Sequence, residues 1–226
     1  MNTAFKNSVF GARTVAALAG VVMLAASARA EEWVRYDARP GSKVKIEGTS
    51  TIHDWTMEGQ IIGGYMELPK GVVLDPSQAA VAGTKDGKLE AHVESSVPVR
   101  SVKSGKKGMD EVMQQAMNAD KHPKIQYHLT EMTLKEPHAA GTPLQFDTKG
   151  ELAVNGVTNK ISMPVTVESV DKTKLKVIGA TPLKMTDYKV TPPAPSLGLG
   201  LIKTGDEVKI SFEWLVAMPE KSADAK

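Results

Sequence analysis

The 226-residue chain contains no cysteine, which excludes disulfides and thiolate metal sites. Aromatic residues are few, 5% of the whole, so aliphatic and methionine side chains must dominate any interior. Neither charge sign prevails: 28 basic residues stand against 26 acidic ones, interspersed, for a net charge of +2. Without a polybasic stripe, nucleic acid is not an expected partner. Only one long apolar run exists, "VAALAGVVMLAA" (Val15 to Ala26), preceded by Lys6 and Arg13 and followed by Ala28-Arg29-Ala30. It falls short of the roughly 20 residues of a membrane span. A basic head, a short apolar middle and a small-x-small site form a secretory leader. Residues 1–30 are therefore expected to be a cleaved signal peptide that delivers the chain to the periplasm, where an exported protein can lack cysteine. The remaining stretch suits one domain over 31–218, with 219–226 as a disordered polar tail.

From Lys43 onward the chain alternates apolar and polar residues. "KVKIEG", "WTMEGQIIGGY", "KLEAHVESSVPV", "KIQYHLT" and "VKISFEWLV" all follow a period of two, which marks strands with one buried and one wet face. Eight such segments are expected: 43–48, 55–66, 88–99, 124–132, 144–154, 157–168, 174–185 and 207–217. In "GELAVNGVTNKISMPVTVE" the pair Asn155-Gly156 predicts a two-residue type I′ turn, because both central residues must accept positive φ. That turn sets Val154 opposite Val157 and Leu152 opposite Asn159, and it gathers Leu152, Val154, Val157, Ile161, Met163, Val165 and Val167 on one face. Pro164 lacks a donor and predicts a bulge or an edge.

One segment departs from this rhythm. "KKGMDEVMQQAMNAD" spaces Met109, Met113 and Met117 by four, predicting a helix that "HPK" terminates at Pro123. Its methionines fit either core packing or a pliable cavity mouth.

Eight amphipathic antiparallel strands bury their apolar faces as a two-sheet sandwich or as a closed barrel. Val44, Ile46, Met57, Ile61, Leu89, Val93, Leu129, Val154, Met163, Val165 and Ile210 are the inward aliphatic and thioether candidates, with Trp55, Tyr65, Tyr127, Phe212 and Trp214 adding aromatic surface. Inward glycines at 48, 59, 63 and 179 either bend strands or leave room. Composition does not separate a filled interior from a hollow one.

The stretch "STIHDW" places Ser50, His53 and Asp54 within five positions, the ingredients of a nucleophile, a base and an orienting acid. Adjacent residues in extended chain point to opposite faces, however, so His53 and Asp54 do not align with Ser50 in one line. Two other roles remain: Ser50 and Asp54 bond local backbone in a turn, and His53 reaches a ligand's head group near a barrel opening. His92 and His128 fall on wet faces, while His122 and His138 abut prolines, so no metal site is expected. Lys103, Lys106 and Lys107 precede the helix as a solvated face or as an attractor of phosphate or of an anionic membrane surface.

Four blocks of the chain resemble the YceI-like family of periplasmic lipocalin-fold proteins. They are "EGTSTIHDWTMEGQI", "SVPVRSVKSGKKGMDEVMQQAMNADKHPKIQYHL", "KGELAVNGVTNKISMPVTV" and "LKMTDYKVTPPAPSLGLGLIKTGDEVKISFEW". The resemblance implies a mainly β fold: an eight-stranded antiparallel lipocalin-like barrel with one helix near its mouth. It also implies a non-enzymatic carrier whose lumen holds a long-chain isoprenoid or similar amphiphilic lipid. On this reading the ligand-binding residues are Ile46, His53, Trp55, Met57, Ile61, Met113, Met117, Tyr127, Leu129, Val154, Met163, Val165, Phe212 and Trp214. No cofactor is expected beyond a bound isoprenoid lipid or isoprenoid quinone. Expected partners are that lipid, a transient membrane surface and a second copy as a homodimer. A filled barrel acting as a stress-related or electron-transport interaction module is the alternative, and a hydrolase built on "STIHDW" is a third reading.

Overall fold

The computed structural model describes Met1 and residues 32–78, 81, 83–135, 139–194 and 202–219. Apart from Met1, the expected leader lies outside these described residues, as do His138 and the tail beyond Pro219. In chain order come β1 (Trp33–Ala38), β2 (Lys43–Ser50), β3 (Trp55–Gly59), β4 (Gly63–Pro69), the short pair β5 (Thr84–Lys85) and β6 (Lys88–Leu89), and β7 (His92–Pro98). A 3₁₀ turn (Val99–Ser101) leads to the helix α1 (Lys107–Ala116), the single α-helix among the described residues. Then follow β8 (Lys124–Leu134), β9 (Leu144–Val154), β10 (Val157–Asp171), β11 (Lys174–Lys184), a second 3₁₀ turn (Met185–Tyr188) and β12 (Thr204–Ala217).

Every pairing is antiparallel, and the sheet closes on itself as a barrel. β1 and β2 lie end to end along β12, with Ala38 opposite Val216 and Lys43 opposite Glu213. β3 and β4 lie end to end along them in turn, Gly59 opposite Val44 and Pro69 opposite Trp33. Two broken staves and six continuous ones make eight, the number of alternating segments expected. β1 was not among those segments, although Val34, Tyr36 and Ala38 alternate with Trp33, Arg35 and Asp37. At the first break the buried Ser42 hydroxyl donates to the Arg39 carbonyl at 3.1 Å and accepts from the Leu215 amide at 3.1 Å, satisfying backbone the ladder leaves open.

The second break changes which residues face inward. Gln60, Ile61 and Ile62 leave the ladder between β3 and β4, and the alternation resumes one residue out of phase. Ile62, Met66 and Leu68 are buried, whereas Ile61 is 54% exposed, so Ile61 is not a lumen residue as the uninterrupted period suggested. Tyr65 is displaced for the same reason: it lies under the Arg35 guanidinium, 3.8 Å from ring centroid to Cζ, on the outer face.

The hairpin between β9 and β10 has the expected register, Val154 opposite Val157 and Leu152 opposite Asn159, with φ of 51° at Asn155 and 75° at Gly156. A Cβ on Gly156 would stand 2.5 Å from the His122 ring. Gly156→Ala is therefore expected to cost about 1–2 kcal/mol from the left-handed backbone, plus the displacement of His122, read as a lower denaturation midpoint at unchanged slope. Pro164 marks an edge and not a bulge. The β9–β10 ladder runs through it unbroken, but β10 pairs with β11 only from Val165 onward.

At the end of the barrel away from that hairpin, Leu68, Leu144, Phe146, Val167 and Val216 are at most 1% exposed and form a packed floor. The opposite end is held by a second apolar cluster of Val99, Met117, Ala119, Leu152, Val154, Tyr188 and Val190, which seats the end of α1 against β9. The helix stops before Pro123 is reached. Asn118 takes φ of 46°, a left-handed cap, and its side-chain amide donates to Asn155 Oδ1 at 2.7 Å.

Candidate functional site

The barrel is hollow above its floor. An inner chamber of about 120 Å³ lies among β2, β4, β7, β8, β9, β10, β11 and β12. A single water needs only ~10–15 Å³ by the same measure, so this is a void and not a packing defect. It adjoins a mouth chamber of about 470 Å³ under α1 and the Ser50–Trp55 loop. Ile46, Ile125, Leu183 and Ile210 line both chambers and form the neck between them.

Of the residues expected to bind a ligand, Tyr127, Leu129, Met163, Val165, Phe212 and Trp214 line the inner chamber. His53, Trp55, Met57, Met113, Met117 and Val154 line the mouth, and Ile46 stands at the neck. Ile61 lines neither, its place being taken by Ile62. The helix methionine Met109 lines the mouth with Met113 and Met117, and further lining residues escaped the sequence reading: Met66 and Thr148 inside, and Ile52, Met185 and Tyr188 at the mouth. Met66 follows from the phase slip after β3. The mouth residues sit on turns without periodicity, and only tertiary placement brings them together.

Two of the expected inward glycines, Gly48 and Gly179, seat aromatic rings, as does Gly150, whereas Gly59 backs onto Val44 and Val102 and Gly63 has only Ser96 within contact distance. A Cβ at Gly48 would collide with the Trp55 indole, at Gly150 with the Tyr127 ring at 2.5 Å, and at Gly179 with Phe212 at 2.6 Å. The void survives because few large rings fill it, in keeping with the chain's low aromatic content.

Polar atoms are sparse inside. Ser95, Ser96, Thr148 and Thr181 are the hydroxyl residues of the inner chamber. Among the described residues, Trp214 Nε1, Tyr127 Oη and Tyr188 Oη are buried with no hydrogen-bond partner. Burial pushes the Tyr127 phenol's pKa up, partly offset by the neighbouring Thr148 hydroxyl, which itself donates to the Met163 carbonyl at 2.8 Å. The Tyr188 phenol is raised by burial as well, with Asn159 offsetting it. An unpaired buried donor costs about 1–3 kcal/mol, a cost that an oxygen-bearing guest could relieve.

In the "STIHDW" loop the side chains bond to the main chain. The Ser50 hydroxyl donates to the His53 carbonyl at 2.7 Å and accepts from the amides of Ile52 at 3.3 Å and His53 at 3.2 Å. His53 Nδ1–H donates to the Asp54 carbonyl at 2.8 Å, which leaves Nε2 as an acceptor on an exposed ring at the rim. Hydroxyl and imidazole are thus each committed to backbone, and the stretch turns the corner from β2 to β3. The Trp55 indole N–H donates to the Thr49 carbonyl at 3.0 Å, closing the same turn. His92 and His128 lie exposed on the outer face, and among the described residues no three His, Asp or Glu side chains gather as a metal site.

Asp110, in the first turn of α1, ties the helix to the loop before it. Its carboxylate accepts from the Ser104 amide at 2.7 Å and the Ser104 hydroxyl at 2.8 Å, and these bonds hold its pKa below the ordinary 3.8. A depressed carboxylate stabilises the fold above its unfolded value, and that contribution fades as pH falls through the folded value. Asp110→Ala is expected to lose about 1–2 kcal/mol near neutral pH, and the deficit should narrow below about pH 3.8 in parallel thermal melts.

Residues 42–215 match the YceI-like domain. Among solved structures, BcnA of Burkholderia cenocepacia superposes with a TM-score of 0.55 at 18% identity, over 77% of this chain and 95% of that one. A polyisoprenoid binding domain from Saccharophagus degradans, implicated in plant cell wall breakdown, superposes with a TM-score of 0.60 at 14% identity, over 83% of this chain and 100% of that one. At such identities the likeness is one of fold. No curated protein matches the chain by sequence.

Proposed function

This chain belongs to the YceI-like family, and we propose that it is a non-catalytic periplasmic carrier that sequesters a long-chain isoprenoid or similar amphiphile. The observation that carries this reading is the pair of apolar chambers, inner and mouth, whose walls share Ile46, Ile125, Leu183 and Ile210. The polyisoprenoid named for the Saccharophagus degradans domain is the ligand class we carry over. Burial supplies the affinity. At about 0.8 kcal/mol per CH₂, a chain of roughly fifteen carbons gives ~12 kcal/mol, enough for micromolar retention after an association cost of at least ~4 kcal/mol. Short acyl chains fall below that threshold. The unpaired Trp214 and Tyr127 donors favour a guest with an oxygen over a bare hydrocarbon, and an isoprenoid quinone has that chemistry.

Export by a cleaved leader over residues 1–30 belongs to the same proposal, as does brief contact of the mouth with a membrane. Ile52, 61% exposed, and Lys106 both line the mouth and supply an apolar point and a cation for such contact. Organic extraction of the purified protein followed by mass spectrometry tests the reading. A co-purifying isoprenoid in about stoichiometric amount is the expected result. An empty extract, together with no uptake of an added fluorescent prenyl lipid, would overturn it.

A further inference from the structure

The barrel wall is incomplete along one line. β9 and β10 pair without interruption from Val157 to Val167, and β11 and β12 pair from Lys174 to Lys184. Between them, β10 and β11 pair only as far toward the mouth as Val165 opposite Gly179, although β10 extends to Val157 and β11 to Lys184.

The cause is written in two prolines. A two-residue hairpin makes Val154 and Val157 a hydrogen-bonded pair, so odd-numbered residues of β10 bond to β9 and even-numbered ones turn to β11. Pro164 is therefore missing the N–H that would reach β11. Continuing the Val165–Gly179 register sets Pro182 opposite Ser162, so Pro182 lacks the N–H that would reach back to β10. Each strand thus loses a donor on the side that faces the other.

Outside this line lies a hollow of about 580 Å³ with Lys160, Lys184, Asp187 and Glu207 on its rim. Its apolar base is Ile161 and Leu183, which also line the lumen. At the mouth end the gap is tied shut, because the Asn159 amide donates to the Asp187 carbonyl at 2.8 Å. The opening is thus a slot bounded at both ends, with two apolar side chains as its threshold.

We propose that this unladdered stretch is a side passage through which the hydrocarbon chain of a lipid slides between the lumen and a membrane. The inference rests on the carrier reading and adds a route to it. One inter-strand spacing is about 4.8 Å, close to the width of a single prenyl or polymethylene chain, so one missing ladder is an opening on the scale such a chain needs. Lateral transfer also spares a polar head group from crossing the apolar neck.

The absence of cysteine makes a staple across the slot clean to introduce. Lys160→Cys with Lys184→Cys places thiols at positions that face each other if the register continues, both exposed. Pro164→Thr with Pro182→Thr restores the two missing donors without a cross-link. The readout is exchange of a nitrobenzoxadiazole-labelled prenyl lipid with vesicles of phosphatidylethanolamine and phosphatidylglycerol. Oxidised staple should exchange at least about tenfold more slowly than the same protein reduced, with equilibrium occupancy unchanged, and the double threonine variant should slow exchange in the same direction. A control staple, Thr166→Cys with Ile178→Cys, spans the laddered part and should leave the rate within about twofold. If neither slot variant slows exchange while the wild type binds the probe, the passage is refuted and the carrier stands. If the wild type takes up no probe, both fall.

Discussion

Ile210→Trp is expected to reduce co-purifying or captured lipid at least about tenfold while leaving the protein folded. Ile210 lies opposite Ile46 on β2 and Thr181 on β11, and it lines both chambers. An indole at this position would occupy the neck and divide one passage into two pockets, each too short for a long chain. Because the added atoms would enter a void and not a packed core, the penalty should stay near 1 kcal/mol, a melting shift of about 2–4 °C for a protein of this size. Lipid capture quantified per folded protein separates the outcomes. Undiminished capture would mean that the guest does not cross the neck, and a melting loss of more than about 12 °C would mean that the neck is not open.

Phe146→Ala should do the opposite, weakening the fold and sparing the site. Phe146 is completely buried, lies opposite Val165 on β10 and Leu134 on β8, and lines neither chamber. Removing a packed phenyl ring from such a position costs about 3–5 kcal/mol, a large share of the ~5–15 kcal/mol by which domains are stable. The melting temperature should fall by about 6–20 °C. Below the transition, lipid capture per folded molecule should match the wild type. A loss under about 1.5 kcal/mol in denaturant titration would show that the floor is loosely packed. The contrast between the two substitutions, one costly to binding and one to stability, follows from a barrel solid at one end and empty at the other.

Much of the barrel is legible in the chain because two independent signals agree. Around Asn155-Gly156 the turn chemistry and the apolar spacing demand the same register, and the structure has it. Signals failed where only one was present. Nothing in "GQIIGGY" announces that Gln60 to Ile62 leave the ladder, so a period of two carried through the break misplaced Ile61 and Tyr65. Pro123 looked like the helix terminator, yet Asn118 adopts the left-handed cap first, bonded across to Asn155 in a hairpin 37 residues away. The glycines show the same limit. A missing Cβ at Gly48 or Gly179 is visible in the sequence, but the ring that takes its place comes from a neighbouring strand. Most site residues on strands were recovered through alternation, Met66 and Thr148 excepted. Those on turns, such as Ile52 and Met185, were not, because only the closed fold makes them neighbours.

The closure has a kinetic corollary. Its final seam joins Asp37 to Ala217, so the earliest and latest strands of the domain must meet before the tube is whole. Contacts so far apart along the chain are slow to form. Until β12 arrives, β1 and β11 are open edges offering unpaired backbone to any passing strand. A chain cut short before Thr204 would be a sheet and not a vessel, able to aggregate but with no interior in which to hold anything.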